Sequence, residues 1–260
     1  MKISSNGVQL NVLEQGKGDI ALVFLHYWGG TARTWNLVMN LLSEEFRSVA
    51  IDLRGWGESE RPASGYSIRN QADDVEGLVR ELGLKRYYLV GHSMGAKIAE
   101  AMASRKPKGL EGLILVGGAL PTASKIPQEQ RNGMLHVYDS RESILGAIAN
   151  VLTSKKLSTE HQEQVIEDSL TAGADAKRAW PASGMVEDIS DVFNITQPTL
   201  IIAGQKDKVD PSETLKAELL PKIPGARFHV IPAVGHLLPL EAPEEVAQAV
   251  RDFVTDRPKH

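Results

Sequence analysis

Short apolar runs recur along the chain and alternate with longer stretches of helical period. Ile20-Ala-Leu-Val-Phe-Leu25 is apolar at all six positions and predicts a buried strand. The runs Ser48–Ile51, Tyr87–Val90, Leu113–Val116, Pro198–Ala203 and Ala226–Ile231 repeat that signal. Val8–Leu13 instead alternates apolar with polar residues, the pattern of an antiparallel strand with one wet face. Between these runs, Ile68–Leu82 sets Ala72, Val75, Leu78, Val79 and Leu82 at the three- and four-residue spacings of a helix. Met94–Ser104 is rich in alanine and carries Ile98 and Met102, while Pro211–Leu220 and Pro243–Val254 open on a proline, a favoured residue of a first helical turn. Strands alternating with helices predict an α/β chain with a mostly parallel, twisted sheet flanked by helices.

The alternation stops over residues 121–196. No strand pattern is found there, and Met134, Leu135, Tyr138, Ile144, Leu145, Ile148, Val151 and Leu152 fall at helical spacings. This stretch reads as a helical lid inserted over the end of the sheet, which leaves 1–120 and 197–260 as the sheet-bearing core. The final Arg257-Pro-Lys-His260 reads as a loose polar end.

One strand-to-helix junction carries a chemical signature. Gly91-His92-Ser93-Met94-Gly95 lies between the apolar run Tyr87–Val90 and the alanine-rich helix. A sharp turn there forces the serine into a strained backbone conformation and exposes its hydroxyl, and the two glycines allow strand and helix to approach. The N-terminus of the helix then favours negative charge developing beside the serine.

A serine is a weak nucleophile and needs a base that is itself oriented by an acid. Such partners are expected at the carboxyl ends of later strands. The strand Thr199–Ala203 runs into Gly204-Gln-Lys-Asp207, and Phe228–Ile231 is followed by Pro232-Ala-Val-Gly-His236. Ser93, Asp207 and His236 are therefore the candidate triad, in the chain order Ser…Asp…His that this arrangement uses. Asp210 is a rival acid; Asp207 is preferred because it sits nearer the strand end. His136 and His161 fall in the helical stretch, His229 within a strand and His260 at the terminus, while His92 is fixed inside the turn, where it packs or hydrogen-bonds locally.

Composition narrows the alternatives. With 29 basic and 33 acidic residues the formal charge is −4, which supplies no field to attract nucleic acid or an anionic membrane. The chain has no cysteine, so disulfides, thiolate metal sites and a cysteine nucleophile are all excluded. The first residues lack an apolar signal core, and Ile20–Leu25 is too short to span a bilayer. These features give the expectation of a soluble cytoplasmic protein with a small-molecule substrate.

Acyl transfer also needs donors for an oxyanion. The residue after the serine, Met94, supplies one backbone N–H, and the loop after Ile20–Leu25, His26-Tyr-Trp-Gly-Gly30, is the expected source of the second. Taken together, His26–Gly30, Asp52-Leu-Arg-Gly-Trp-Gly-Glu-Ser59, Gly91–Gly95, Gly204–Asp207 and Gly235-His236 make the chain resemble the α/β-hydrolase superfamily over nearly its whole length, most of all its lid-bearing esterases and cofactor-free perhydrolases. The resemblance implies the α/β-hydrolase fold and an oxyanion hole built from the Trp28 and Met94 amides. It also implies that Asp52 and Arg54 are mainly structural, read here as a buried or half-buried pair fixing a loop. One departure is Tyr27, which stands where the family usually has glycine; because tyrosine does not freely take positive φ, the loop is expected to differ in path. Tyr27 reads equally as a phenol beside the pocket or as an aromatic packed against the lid.

The expected chemistry is two-step hydrolysis of small to medium carboxylic esters or lactones through an acyl-enzyme, with no metal or organic cofactor. Tyr27, Met134, Tyr138, Ile148, Trp180 and Leu237 are the candidate pocket residues, with Ile144 and Met185 beside them. Three other readings share the same residues: a perhydrolase that takes peroxide in place of water, a carbon–carbon hydrolase of dienoate ketones, and a slow-turnover ligand receptor.

Overall fold

In the computed structural model, which describes residues 1–256, eight strands form one sheet in the order β1-β2-β4-β3-β5-β6-β7-β8. They are β1 (Lys2–Ser5), β2 (Val8–Gln15), β3 (Ala21–Leu25), β4 (Arg47–Ile51), β5 (Tyr87–His92), β6 (Leu110–Val116), β7 (Thr199–Gly204) and β8 (Arg227–Ile231). β1 and β2 pair antiparallel, as do β2 and β4, and every later pairing is parallel. The reading of the chain end at Arg257–His260 lies outside the described residues.

Strand alternation divides the core. In β3, Leu22 and Phe24 pack with α1 (Asn36–Leu42) and α10 (Pro243–Thr255) on one face. Val23 and Leu25 pack on the other with α2 (Ile68–Glu81) and α3 (Met94–Ala103). That is the period of two expected where both faces of a sheet are covered. The central strands β3, β5 and β7 are buried throughout, whereas β8 is an edge strand with exposed residues, so its apolar run is not the buried strand that its sequence suggests.

Between β6 and β7 the described chain is helical. α4 (Gln128–Met134), α5 (Arg141–Ala147), α6 (Thr159–Thr171) and α7 (Ala174–Ala179) follow one another, with widened π turns at Ile148–Leu152 and Trp180–Gly184. Tyr138, Ile144, Ile148, Trp180 and Met185 from this segment share one apolar cluster with Tyr27, Trp28 and Met94 from the sheet ends. After β7 the expected helix at Pro211–Leu220 begins as α8 (Ser212–Thr214) and continues as a π turn through Leu219. A short α9 (Leu238–Glu241) leads into α10. No helix among the described residues is long and apolar enough to cross a membrane.

Candidate active site

The turn from β5 to α3 places Ser93 at φ 54°, ψ −115°. A non-glycine residue in that region carries strain of order 1–3 kcal/mol and persists only where its surroundings hold it. Here they do: Ser93 N–H donates to the Val116 carbonyl at 3.1 Å, and the Ser93 carbonyl accepts from Ala96 and Lys97 at 2.8 and 3.2 Å. The two flanking glycines leave no room for side chains. A Cβ on Gly91 would lie 2.5 Å from the Gly95 carbonyl oxygen, and one on Gly95 would lie 2.5 Å from that of Leu25. The second contact brings the start of α3 against the end of β3, so Met94 lies beside the His26–Gly30 loop.

His236 and Asp207 meet as expected. His236 Nδ1 lies 2.9 Å from Asp207 Oδ2, with both side chains buried. The other carboxylate oxygen, Oδ1, accepts the Val209 and Asp210 amides at 2.8 and 3.0 Å. Asp207 is thus held in three directions, and it is Asp207, not Asp210, that bonds the imidazole. Two contacts join the histidine loop to the serine turn. His92 Nε2 lies 2.7 Å from the His236 carbonyl, and the His92 and His236 rings are 5.0 Å apart. His92 therefore does hydrogen-bond, but across 144 residues rather than locally.

The titration of these groups follows from their surroundings. Burial alone lowers the pKa of His236, but the charge and hydrogen bond of Asp207, with Asp210 and Glu241 farther out, outweigh it, and the net displacement is upward. Asp210 is raised to about 7, first by removal from solvent and then by the Asp207 charge, against the opposing pull of His236 and Lys97. His92 is pushed well below 6.5 by burial and by His236, so it is neutral and donates through Nε2. His26 is lowered to about 4 by burial; its Nδ1 meets the Tyr27 carbonyl at 2.7 Å and its Nε2 accepts from Leu53 N–H at 3.1 Å. These partners fix one neutral tautomer and lock the start of the loop.

Within that loop Tyr27 is not among the residues at positive φ, and Gly29 takes φ 105° instead. Tyr27 is buried, with its ring 5.2 Å from that of His92. The helical segment grips the rest of the loop. Tyr138 donates its hydroxyl to the Trp28 carbonyl at 2.7 Å and packs on the Trp28 ring at 4.3 Å. Trp28 Nε1 donates to the Lys177 carbonyl at 2.9 Å, and Ser169 Oγ donates to the Gly29 carbonyl at 2.9 Å. Of the other candidate pocket residues, Ile148, Trp180 and Leu237 are buried in the shared apolar cluster and Met134 packs partly buried against it.

The expectation of an Asp52–Arg54 pair is corrected. Both are buried, but Arg54 forms its ion pair with Asp74 in α2, while Asp52 accepts from Ala32 N–H, Asn11 Nδ2 and Glu58 N–H. The single carboxylate of Asp52 is fully used on β2 and two loops, which leaves the arginine to the helix. Sequence reasoning also passed over Glu241, a buried carboxylate beside the histidine loop. Its signal was one acid within the apolar stretch Leu237-Leu-Pro-Leu-Glu-Ala242. Among the described residues no three His, Asp or Glu side chains are grouped so as to hold a metal ion.

Residues 22–249 match the Alpha/beta hydrolase family. The chain belongs to that family. This α/β hydrolase is 26% identical to an esterase from Exiguobacterium antarcticum, with a TM-score of 0.90 and 98% of each chain covered. It is 28% identical to a thermophilic esterase from Thermogutta terrifontis, with a TM-score of 0.84 and the same coverage. It is also similar to a 2-hydroxy-6-oxononadienedioate/2-hydroxy-6-oxononatrienedioate hydrolase of Pseudomonas putida, at 30% identity over 95% of this chain and 92% of the relative.

Proposed function

We propose that this α/β hydrolase is a serine esterase that cleaves small to medium carboxylic esters or lactones through an acyl-enzyme. The observation that carries the reading is the 2.9 Å contact of His236 Nδ1 with Asp207, on a loop that His92 ties at 2.7 Å to the turn holding Ser93 at φ 54°. With Nδ1 committed to the acid, Nε2 is the nitrogen left to take the Ser93 proton. Ser93 Oγ attacks the acyl carbon, the Met94 and Trp28 amides receive the oxyanion, and His236 returns the proton to the leaving alcohol. Water then repeats the sequence on the acyl-serine and releases the acid.

In this reading the helical segment 121–196 is a lid, and Tyr27, Met134, Tyr138, Ile148, Trp180 and Leu237 shape an apolar acyl pocket. Ester substrates are favoured by the two esterases that share nearly the whole length of the fold at 26% and 28% identity. The test is a paired assay of wild type and Ser93→Ala on a chain-length series of p-nitrophenyl esters and on lactones, run with and without peroxide and beside a dienoate ketone. Ester or lactone turnover that vanishes in the variant is the expected result. Turnover of the dienoate alone would place the chain with the carbon–carbon hydrolases, and turnover only with peroxide would make it a perhydrolase.

A further inference from the structure

The loop that carries His236 has no regular secondary structure of its own, yet its backbone polar groups are captured one after another. Ala233, at φ 58°, receives Gln205 Oε1 on its N–H at 3.1 Å and Ser154 Oγ on its carbonyl at 2.8 Å. The Val234 carbonyl accepts from Lys206 N–H at 2.8 Å. The amides of His236 and Leu237 both donate to the Leu152 carbonyl, at 2.9 and 3.0 Å. The His236 carbonyl is held by His92. The Gly235 amide donates to both oxygens of Glu241 at 3.1 Å.

The Glu241 carboxylate does more than cap that amide. Its Oε2 also accepts from Ser154 N–H at 2.8 Å and Lys155 N–H at 2.9 Å, while Ser154 Oγ, 3.2 Å away, gives its one proton to the shorter contact with the Ala233 carbonyl. Ser154 and Lys155 belong to the helical segment between β6 and β7, just after the π turn that ends at Leu152. The Gly235, Ser154 and Lys155 amides are all donors, so the acceptor-only ionised carboxylate is the form that fits them, and such charge-assisted bonds are the stronger kind. The packing leaves no slack. A Cβ on Gly235 would lie 2.7 Å from Ser154 N and 2.9 Å from Glu241 Oε1.

We propose that Glu241 is the positioning residue of the catalytic histidine: its carboxylate bridges the Gly235 amide to the Ser154–Lys155 strap, so that strap and histidine loop hold one geometry together. The proposal rests on the reading of His236 as the general base. A base displaced by about 1 Å loses rate steeply, on the order of 100-fold. Glu241 thus acts on catalysis through where it puts His236 rather than by touching substrate. It also shares the control of the imidazole charge with Asp207 and Asp210, while His92, facing the same ring, is neutral.

Glu241→Gln separates this role from simple support. An amide keeps the volume, and its oxygen in the Oε2 position can still accept from the strap and from Gly235, but its NH2 then takes the Oε1 position 3.1 Å from the Gly235 N–H, donor against donor. The expected result is a 10- to 100-fold fall in kcat per fluorophosphonate-titrated site with KM little changed. The acid limb of kcat/KM should move to lower pH, because one negative charge beside His236 is gone. Nuclear magnetic resonance of the His236 imidazole, assigned by its loss in His236→Gln, should show the same downward shift and a broadened signal. A titrated variant with wild-type kcat, acid limb and imidazole titration would overturn the proposal. Where Glu241→Gln does not fold, Ser154→Ala removes only the hydroxyl bond that ties the strap to the Ala233 carbonyl, and a several-fold loss of kcat per site is expected against none if the strap is passive. A wild type without ester turnover would instead defeat the esterase reading, and the imidazole titration would still decide the role of Glu241.

Discussion

At the scale of single residues, the contact between His236 and Asp207 determines what each substitution should do. Asp207→Asn removes the charge that favours the imidazolium and offers Nδ1 an amide in place of a carboxylate, so kcat should fall by about 10⁴-fold, the size associated with neutralising the acid of a Ser-His-Asp set. Asp210→Asn should cost less than about 10-fold, since its carboxylate is not on the imidazole; steady-state kinetics of the two variants checks the ranking. The pH profile has a definite sign. Protonated His236 cannot act as a base, and its pKa lies above the ordinary 6.5, so kcat/KM should fall as pH drops through a midpoint above that value. That His236 and Asp207 would meet was legible from residue types and order alone. The choice of Asp207 over Asp210 followed from strand position, and the geometry makes the same choice. The partner of Arg54 was not legible, because only packing decides which donors claim Asp52 and leaves Asp74 to the arginine. That Gly29, rather than Tyr27, takes the positive φ in the loop was not legible in the sequence.

At the scale of elements, the helical segment is bonded to the two loops that flank the candidate site. It holds the His26–Gly30 loop through Tyr138, Ser169 and Lys177, and the histidine loop through Leu152 and the Ser154–Lys155 strap. Tyr138→Phe leaves the buried Trp28 carbonyl without this donor and should destabilise the fold by about 1–3 kcal/mol, read as a lower midpoint of denaturant unfolding. Lysine 177 and Ser169 were invisible as partners because a bond to a backbone carbonyl leaves no trace in side-chain patterning. The long elements were plain in the sequence for a physical reason: β3 and β5 are apolar throughout and α2 repeats its apolar face over four turns. By contrast β1 buries only Ser5 of its four residues, and α1 spans about two turns, so neither displays a period long enough to read. The segment Pro211–Leu220 was legible as helical but not as a π turn, since propensity does not distinguish the two.

At the scale of the whole molecule, one apolar cluster runs from the sheet ends into the helical segment, and the candidate catalytic groups lie beneath it. Ser93 is 5% exposed and His236 2%, so the candidate catalytic groups sit in a confined space. Small acyl esters should therefore turn over faster than bulky ones of equal reactivity, and a kcat/KM that is flat across acyl size would contradict a confined site. Elsewhere the fold depends on a buried ion pair that joins the loop after β4 to α2. Asp74→Ala strands Arg54 without its counter-charge and should cost about 3–5 kcal/mol, seen as a large drop in thermal midpoint. The account as a whole stands on Ser93 as the atom that receives the acyl group. Its most direct test is to quench wild type within the first turnover of p-nitrophenyl acetate and map the peptides by mass spectrometry. An acetyl group on the peptide containing Ser93, absent when His236 is changed to glutamine, is the predicted result; turnover with no acylated Ser93, or with the acetyl group on another side chain, would contradict it.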